Sequence, residues 1–114
     1  SPALANDDYQ PNDALAFEVE ARRFSEVDDG SFDLLSIDTE GCEWYVLSHL
    51  VSRPLVISVE TGWKRYVNPF LREIKQWLDR ERYQLWYRDG SDSVFLRRDV
   101  PIGRVRRWCD RMGW

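Results

Sequence analysis

Two short apolar segments, each closed by a carboxylate, constrain the fold of this chain most. They read DLLSID (residues 33–38) and LVISVE (residues 55–60), so that Asp38 and Glu60 stand at their ends. The stretch between them contains CEWYVLSHL (residues 42–50), whose apolar residues have helical spacing. Apolar strands that are joined through a helix pair in parallel. The chain is therefore predicted to be an α/β domain in which these two segments are neighbouring parallel strands.

A second helix and a hairpin complete the predicted sheet. Asn68 supplies a helix cap, Pro69 suits the first helical position, and helical spacing of apolar residues continues to Arg82. Residues 83–97 contain two apolar stretches around the turn RDGSDS, which predicts an antiparallel hairpin beside the second strand. We expect a mixed sheet of four or five strands, mainly parallel, with both helices on one face.

The two ends of the chain have a different character. Residues 1–14 are polar and contain two prolines, which predicts a flexible arm before a single domain over residues 15–114. Strict alternation of apolar and charged residues predicts a half-buried strand over residues 16–22. The C-terminal end is predicted to be a short basic amphipathic segment that contains Val105, Trp108 and Met112.

Composition excludes several classes of protein. A net charge of −4 argues against a general nucleic-acid binder, which needs a basic surface. Cys42 and Cys109 form no CxxC pattern, so neither a zinc site nor a redox pair is indicated. No apolar run has the length of a membrane span and no signal peptide is present, which predicts a cytoplasmic protein without a membrane partner. The chain starts with Ser, so we expect a processed protein or a piece of a longer one.

Four carboxylates are expected at one edge of the sheet. Asp38 and Glu60 end parallel strands, and ligands of open α/β sheets bind beyond the carboxyl ends of such strands. Gly41 eases the turn into the first helix, where Glu40 and Glu43 follow. The two glutamates have an alternative role as first-turn stabilisers of that helix, and Asp38 has one as its cap. Mutual repulsion of the four predicts that at least one pKa is raised, unless a cation or a hydrogen-bond donor compensates the charge.

These residues carry a resemblance to a known family. The segment IDTEGCE (residues 37–43), the strand 55–60, the helix after it and SVFLRRD (residues 93–99) resemble the C-terminal half of the FkbM family of S-adenosylmethionine-dependent O-methyltransferases. The matching positions of that family's IDxEGxE segment are Ile37, Asp38, Glu40, Gly41 and Glu43. The resemblance covers roughly residues 15–98 and implies a partial Rossmann-like methyltransferase sheet.

The resemblance also implies roles for individual residues. Asp38 and Glu60 would be catalytic, and Asp38 with Thr39 would lie against S-adenosylmethionine. The acceptor would be a hydroxyl of a small molecule or glycan, bound by Glu40, Glu43, Trp63 and Tyr66. The family's glycine-rich cofactor loop has no counterpart, because the six glycines are all isolated. We therefore expect this chain alone to bind S-adenosylmethionine weakly or not at all.

Two other functions compete with this one. In a magnesium-dependent nuclease-like domain, Asp38, Glu40 and Glu60 would be the oxygen ligands, although the spacing from Glu60 to Lys64 does not suit the PD-(D/E)xK pattern. In a non-catalytic interaction module, the unpaired edge of strand 33–38 would recruit a partner, such as a second copy of the chain.

Overall fold

Two helices pack on one face of a four-stranded sheet. The computed structural model describes residues 12–101 of the chain. Its strands and α-helices, in chain order, are β1 (Leu34–Ile37), α1 (Glu43–Leu47), β2 (Val56–Glu60), β3 (Gly62–Trp63), β4 (Tyr66–Val67), α2 (Leu71–Arg80), β5 (Tyr83–Asp89) and β6 (Asp92–Arg97). Short 3₁₀ helices at Asp13–Leu15 and Phe24–Glu26 precede them.

The sheet is mixed and has the strand order β1-β2-β6-β5. Strands β1 and β2 are parallel, with Leu35 opposite Ile57 and Ile37 opposite Val59. Strand β6 pairs antiparallel with both β2 and β5, which confirms the predicted hairpin beside the second strand. The prediction of a mainly parallel sheet is wrong, since β1–β2 is the one parallel pair of this sheet. The tight β5–β6 turn reverses the chain, so that β6 returns antiparallel against β2.

The core lies between the sheet and both helices. Alternate residues of β1 and β2 point to this face, as the period of a strand requires. The helices contribute an apolar stripe at helical spacing, and each fully buried aliphatic side chain stabilises the fold by about 1.5–3 kcal/mol. The buried cluster includes Leu35, Ile37, Ile57, Val59, Leu47, Ile74, Trp77 and Leu78. Both helices therefore share one face, as predicted, whereas Leu34 on the opposite face is 67% exposed.

Both helices are shorter than the sequence suggests. Helix α1 ends at Leu47, and the chain reaches the predicted end at Leu50 through tighter turns, in which the N–H of Leu50 donates to the carbonyl of Leu47 at 3.2 Å. Helix α2 begins at Leu71. Asn68 still organises its start, because the Asn68 side chain accepts a hydrogen bond from the Phe70 N–H at 2.9 Å.

The predicted strand over residues 16–22 is wrong. These residues form no strand and are all exposed, and the side chains of Phe17 and Val19 are 83% and 73% accessible. Alternation provides one apolar face, but a strand also needs a neighbour for its backbone hydrogen bonds, and this segment has none among the described residues.

Some predicted features lie outside the described residues. Most of the arm predicted over 1–14, and the amphipathic segment with Val105, Trp108 and Met112, belong to this group. Within residues 12–101, no helix has both the length and the apolar character that crossing a bilayer requires.

A buried aspartate holds the segment before β1 against the chain after α1. Asp28 is 5% exposed, and its carboxylate accepts hydrogen bonds from the N–H groups of Val51 and Ser52 at 2.7 Å each. The Ser52 hydroxyl and the Gly30 N–H donate to its other oxygen. Burial alone would raise the pKa of Asp28, but these hydrogen bonds together lower it to about 2.

Replacement of Asp28 is expected to weaken the fold and flatten its acid sensitivity. The lowered pKa means that the ionised carboxylate stabilises the protein above pH 4, and that this stabilisation is lost as the pH falls toward 2. Asp28→Asn brings an amide toward N–H donors, so the free energy of unfolding at pH 7 should drop by about 2 kcal/mol. Denaturant unfolding at several pH values measures both effects.

The neighbouring Asp29 provides the control. Its carboxylate is bonded only to Ser31 among the described residues, at an exposed position, so Asp29→Asn should change stability by less than about 0.5 kcal/mol. Equal losses for both variants would show that Asp28 is not the anchor described above.

Candidate functional site

Carboxylates meet where the two parallel strands end. The register that places Ile37 opposite Val59 brings the next residues, Asp38 and Glu60, to the same level at the sheet edge. Asp38, Glu43 and Glu60 each have one carboxylate oxygen that lies within 4.8 Å of those of the other two. The structure thus brings together three of the four acidic residues that the sequence places there, and we call these three the acidic rim.

Glu43 is the buried member of the acidic rim. Its side chain is fully inaccessible, and its Oε1 accepts hydrogen bonds from the N–H groups of Thr39 at 2.9 Å and Gly41 at 3.2 Å. Its Oε2 accepts one from the Asn68 side chain at 2.6 Å. These bonds fold the loop between β1 and α1 back onto the start of the helix. The loop can adopt this path because Gly41 has φ 94°, a conformation in which a side chain is strained.

Asn68 is a site residue that the sequence reasoning recognised only as a helix cap. It is 2% exposed, and its Nδ2 donates to Glu43 and also to the backbone carbonyl of Glu60 at 3.1 Å. Asn68 therefore ties the loop after β1 to the end of β2. The Asn-Pro start signal reveals the cap, but no local signal identifies a partner 25 residues away.

Glu60 is the member of the acidic rim whose ionised form is disfavoured. Burial raises the pKa of Glu60, and the negative charges of Asp38 and of three further carboxylates, Glu40, Glu43 and Asp92, raise it more. The Glu60 Oε2 atom is buried and has no hydrogen-bond partner among residues 12–101. A buried polar atom without a partner is costly in a native fold and often has a ligand as its reason. The predicted rise of at least one pKa at this edge is thereby confirmed.

Asp38, Thr39 and Glu40 form the exposed side of the site. Helix α1 has no side-chain cap, so the alternative role of Asp38 as a helix cap is wrong. Within the described part of the chain, no hydrogen bond or ion pair engages the Asp38 carboxylate, which leaves it open to a ligand. The Thr39 side chain is exposed, and Glu40 adopts φ 52° in the turn before Gly41.

Trp63 and Tyr66, which the resemblance assigns to the acceptor, lie in the hairpin of β3 and β4. Gly62 permits this hairpin, since a Cβ atom at Gly62 would stand 2.6 Å from the Tyr66 carbonyl oxygen. The Tyr66 hydroxyl is buried without a partner among the described residues. Burial, followed by the nearby charges of Glu43 and Glu60, raises the pKa of Tyr66 to about 12, so the hydroxyl stays protonated at neutral pH.

The acidic rim has the residue types of a divalent-cation site. The close set contains Glu43 in place of the Glu40 that the magnesium hypothesis named. Three N–H groups of the described residues already donate to Glu43, so its oxygens are engaged in holding the loop. Asp38 and Glu60 are then the two carboxylates of the set with unengaged oxygens in the described part of the chain, and Mg²⁺ sites commonly use one or two carboxylates.

Comparison with known proteins bears on what this site does. Comparisons with curated proteins and with solved structures gave no match. A family model described as the methyltransferase FkbM domain matches residues 3–85, a range that contains β1, β2 and the whole acidic rim. That match extends over well more than half of the 114 residues, and the chain therefore belongs to the FkbM methyltransferase domain family.

Proposed function

We propose that this chain forms the acceptor side of an S-adenosylmethionine-dependent O-methyltransferase that modifies a hydroxyl of a small molecule or glycan. Membership of the FkbM family supports methyl transfer. The observation that carries the proposal is the buried Oε2 of Glu60, which has no partner among residues 12–101, beside an open Asp38 carboxylate. The strand order, in which two parallel strands end at the site and an antiparallel hairpin follows, suits the Rossmann-like sheet that we expected.

The carboxylates of Asp38 and Glu60 have different roles in this proposal. Asp38 is exposed and accepts a hydrogen bond from the acceptor hydroxyl, which orients the oxygen. Glu60 takes the hydroxyl proton, because its raised pKa makes it a stronger base than an ordinary carboxylate. General-base assistance of this kind contributes about two to four orders of magnitude in rate. Glu43 and Asn68 are positioning residues, since they hold the loop of Asp38 against the end of β2.

The site suits the reactive end of the cofactor. S-adenosylmethionine supplies an electrophilic methyl group on a positively charged sulfur. No ion pair of the described residues engages Asp38, so its negative charge is available to that end, and the exposed Thr39 follows it in the chain. Glycine-rich phosphate- or nucleotide-binding patterns require closely spaced glycines, and no two glycines of this chain are within two positions of each other. The chain alone is therefore proposed to bind the cofactor weakly.

Asp38→Asn should separate chemistry from folding. The substitution keeps the shape of the side chain but removes its charge, so the hydrogen bond to the acceptor hydroxyl weakens and methyl transfer is expected to fall about tenfold or more in the methylation-competent protein that contains this chain. Stability should change by less than about 0.5 kcal/mol, since Asp38 caps no helix. A radiolabelled methyl-transfer assay and thermal unfolding measure the two quantities.

Glu40→Gln is the matched control for Asp38→Asn. Glu40 is also exposed beside the acidic rim, but it is outside the close set of carboxylates. The Glu40→Gln substitution should raise the KM for the acceptor and leave kcat within about threefold of its value in the unsubstituted protein. Full activity of the Asn variant at position 38 would remove Asp38 from the mechanism.

Glu60→Gln should stabilise the protein at neutral pH while it abolishes methyl transfer. The pKa of Glu60 is higher in the folded protein than in the unfolded protein, so ionisation of Glu60 disfavours folding. The stability contributed by the protonated carboxyl is fully present below the unfolded-state pKa and is lost as the pH rises through the folded-state pKa. The neutral amide removes this decline and the repulsion within the acidic rim. Denaturant unfolding of the 114-residue chain between pH 4 and pH 8 measures how the free energy of unfolding depends on pH.

Glu18→Gln, at an exposed position far from any strand, serves as the control for Glu60→Gln. It should leave the pH dependence of unfolding as it is in the unchanged protein. A Glu60→Gln variant that is less stable at pH 7 would contradict the repulsion that we assign to the acidic rim.

A second candidate function is self-association through the edge of β1. Among the described residues β1 has a single neighbour, β2, and its sequence lacks the lysine or proline that commonly protects an exposed edge. In this alternative a second copy of the chain pairs with β1. The cytoplasmic location that we predicted remains a prediction for either function.

Leu34→Lys tests the edge of β1. A charge at this 67%-exposed position should convert a dimer into a monomer in multi-angle light scattering, because charged side chains block edge pairing. Val67→Lys, 62% exposed on β4, should leave the dimer intact. A monomeric unsubstituted chain would rule this alternative out.

A further inference from the structure

A cavity of about 590 Å³ opens next to the acidic rim. Small-molecule sites commonly have roughly 300–1,000 Å³, so its size suits a metabolite or a sugar. Thr61, which directly follows Glu60, and Tyr66 belong to its wall. The charges of Glu43 and Glu60 act on the Tyr66 hydroxyl, so this residue of the cavity wall also lies close to the acidic rim.

The walls of this cavity are rigid where they meet β2. The N–H groups of Thr61 and Gly62 donate to the Ser91 carbonyl at 2.9 Å and 3.3 Å. The hydroxyls of Thr61 and Ser93 are 2.7 Å apart in the interior. These bonds fasten the β3–β4 hairpin to the β5–β6 turn, so the cavity exists without a ligand to shape it.

The cavity is cationic although the protein as a whole carries a net charge of −4. Lys64 and Arg88 both line it. Arg88 is exposed on β5, and among residues 12–101 no hydrogen bond or ion pair engages its guanidinium. Arginine presents several N–H donors in a plane that matches a carboxylate or phosphate.

An apolar floor adjoins the cationic wall. A second cavity of about 260 Å³ shares Thr61, Leu71 and Arg88 with the first. It adds the partly buried Phe95 and the 52%-exposed Leu85, together with Lys75. The combined groove therefore offers apolar contact area next to positive charge, and Thr61 and Tyr66 connect its wall to the acidic rim.

We propose that this groove binds the acceptor, and that the acceptor carries an anionic group, a carboxylate or a phosphate, which Arg88 and Lys64 recognise. The hydroxyl to be methylated then points toward Tyr66 and Glu60, and the apolar body of the molecule lies on Leu71 and Phe95. The positive charges of Arg88 and Lys64 and the negative charge of the acidic rim together fix its orientation. This inference rests on the proposed function, whose acceptor class it names.

Binding of matched probes to the 114-residue chain tests the inference without any methyl transfer. The probes are 4-hydroxybenzoate, 4-hydroxyphenyl phosphate and the neutral 4-hydroxybenzyl alcohol, which share a ring and a hydroxyl. At least one anion should shift the backbone amide signals of Gly62 and Gly90, two residues of the cavity wall, at about tenfold lower concentration than the alcohol. The stronger anion distinguishes a carboxylate acceptor from a phosphate acceptor.

Variants show whether Arg88 causes the preference. Arg88→Gln should reduce the preference for the anion about tenfold, and the exposed position predicts an unchanged amide spectrum elsewhere. Lys64→Gln is a second variant with an effect in the same direction. Arg65→Gln is the matched control, because Arg65 is exposed in the same hairpin but does not line the cavity.

Three results would overturn the inference. These are no binding of any probe, equal binding of anions and alcohol, and an anion preference that survives both Arg88→Gln and Lys64→Gln. None of them bears on the loss of methyl transfer in Asp38→Asn, so a failure of the anionic acceptor is distinguishable from a failure of the methyltransferase proposal.

Discussion

The hydrogen bond between the side chains of Glu43 and Asn68 is the interaction on which the site depends. A fully buried carboxylate is costly unless donors replace its water, and Glu43 has three N–H donors. Because Asn68 also binds the carbonyl of Glu60, one amide group sets the distance between two loops that come from different strands. The parallel register of β1 and β2 places Asp38 and Glu60 side by side, and this link holds the loop that follows Asp38 against the end of β2.

Asp28 and Glu60 show how the same chemical group serves two purposes. The carboxylate of Asp28 receives four hydrogen bonds, which lower its pKa to about 2 and make it an anchor. The carboxylate of Glu60 has no donor at its buried oxygen among the described residues, and burial, followed by the charges of neighbouring carboxylates, raises its pKa. Buried polar groups without hydrogen-bond partners are concentrated at functional sites, where other interactions of the fold offset their cost in stability.

Much of the fold was predictable because its signals are local. The apolar strands ending at Asp38 and Glu60, the hairpin after α2, and the helix start at Asn68 all follow from period and turn chemistry within a few residues. The segment 16–22 has an equally clear period and still forms no strand. The spacing of apolar residues determines which side chains can share a face. Strand pairing also requires a neighbouring strand, which only the tertiary fold provides.

The sequence by itself determined that acidic residues gather at one edge of the sheet, because parallel strands end at the same side and both strands end in a carboxylate. The tertiary structure alone decided what each carboxylate does. It gave Glu43 the amide of a residue 25 positions away and set Arg88 in the wall of a cavity near the acidic rim. It also left the Glu60 Oε2 atom without a donor from residues 12–101. Hydrogen bonding and charge depend on distances in space, and residues far apart in the chain acquire those distances only when the sheet and helices pack.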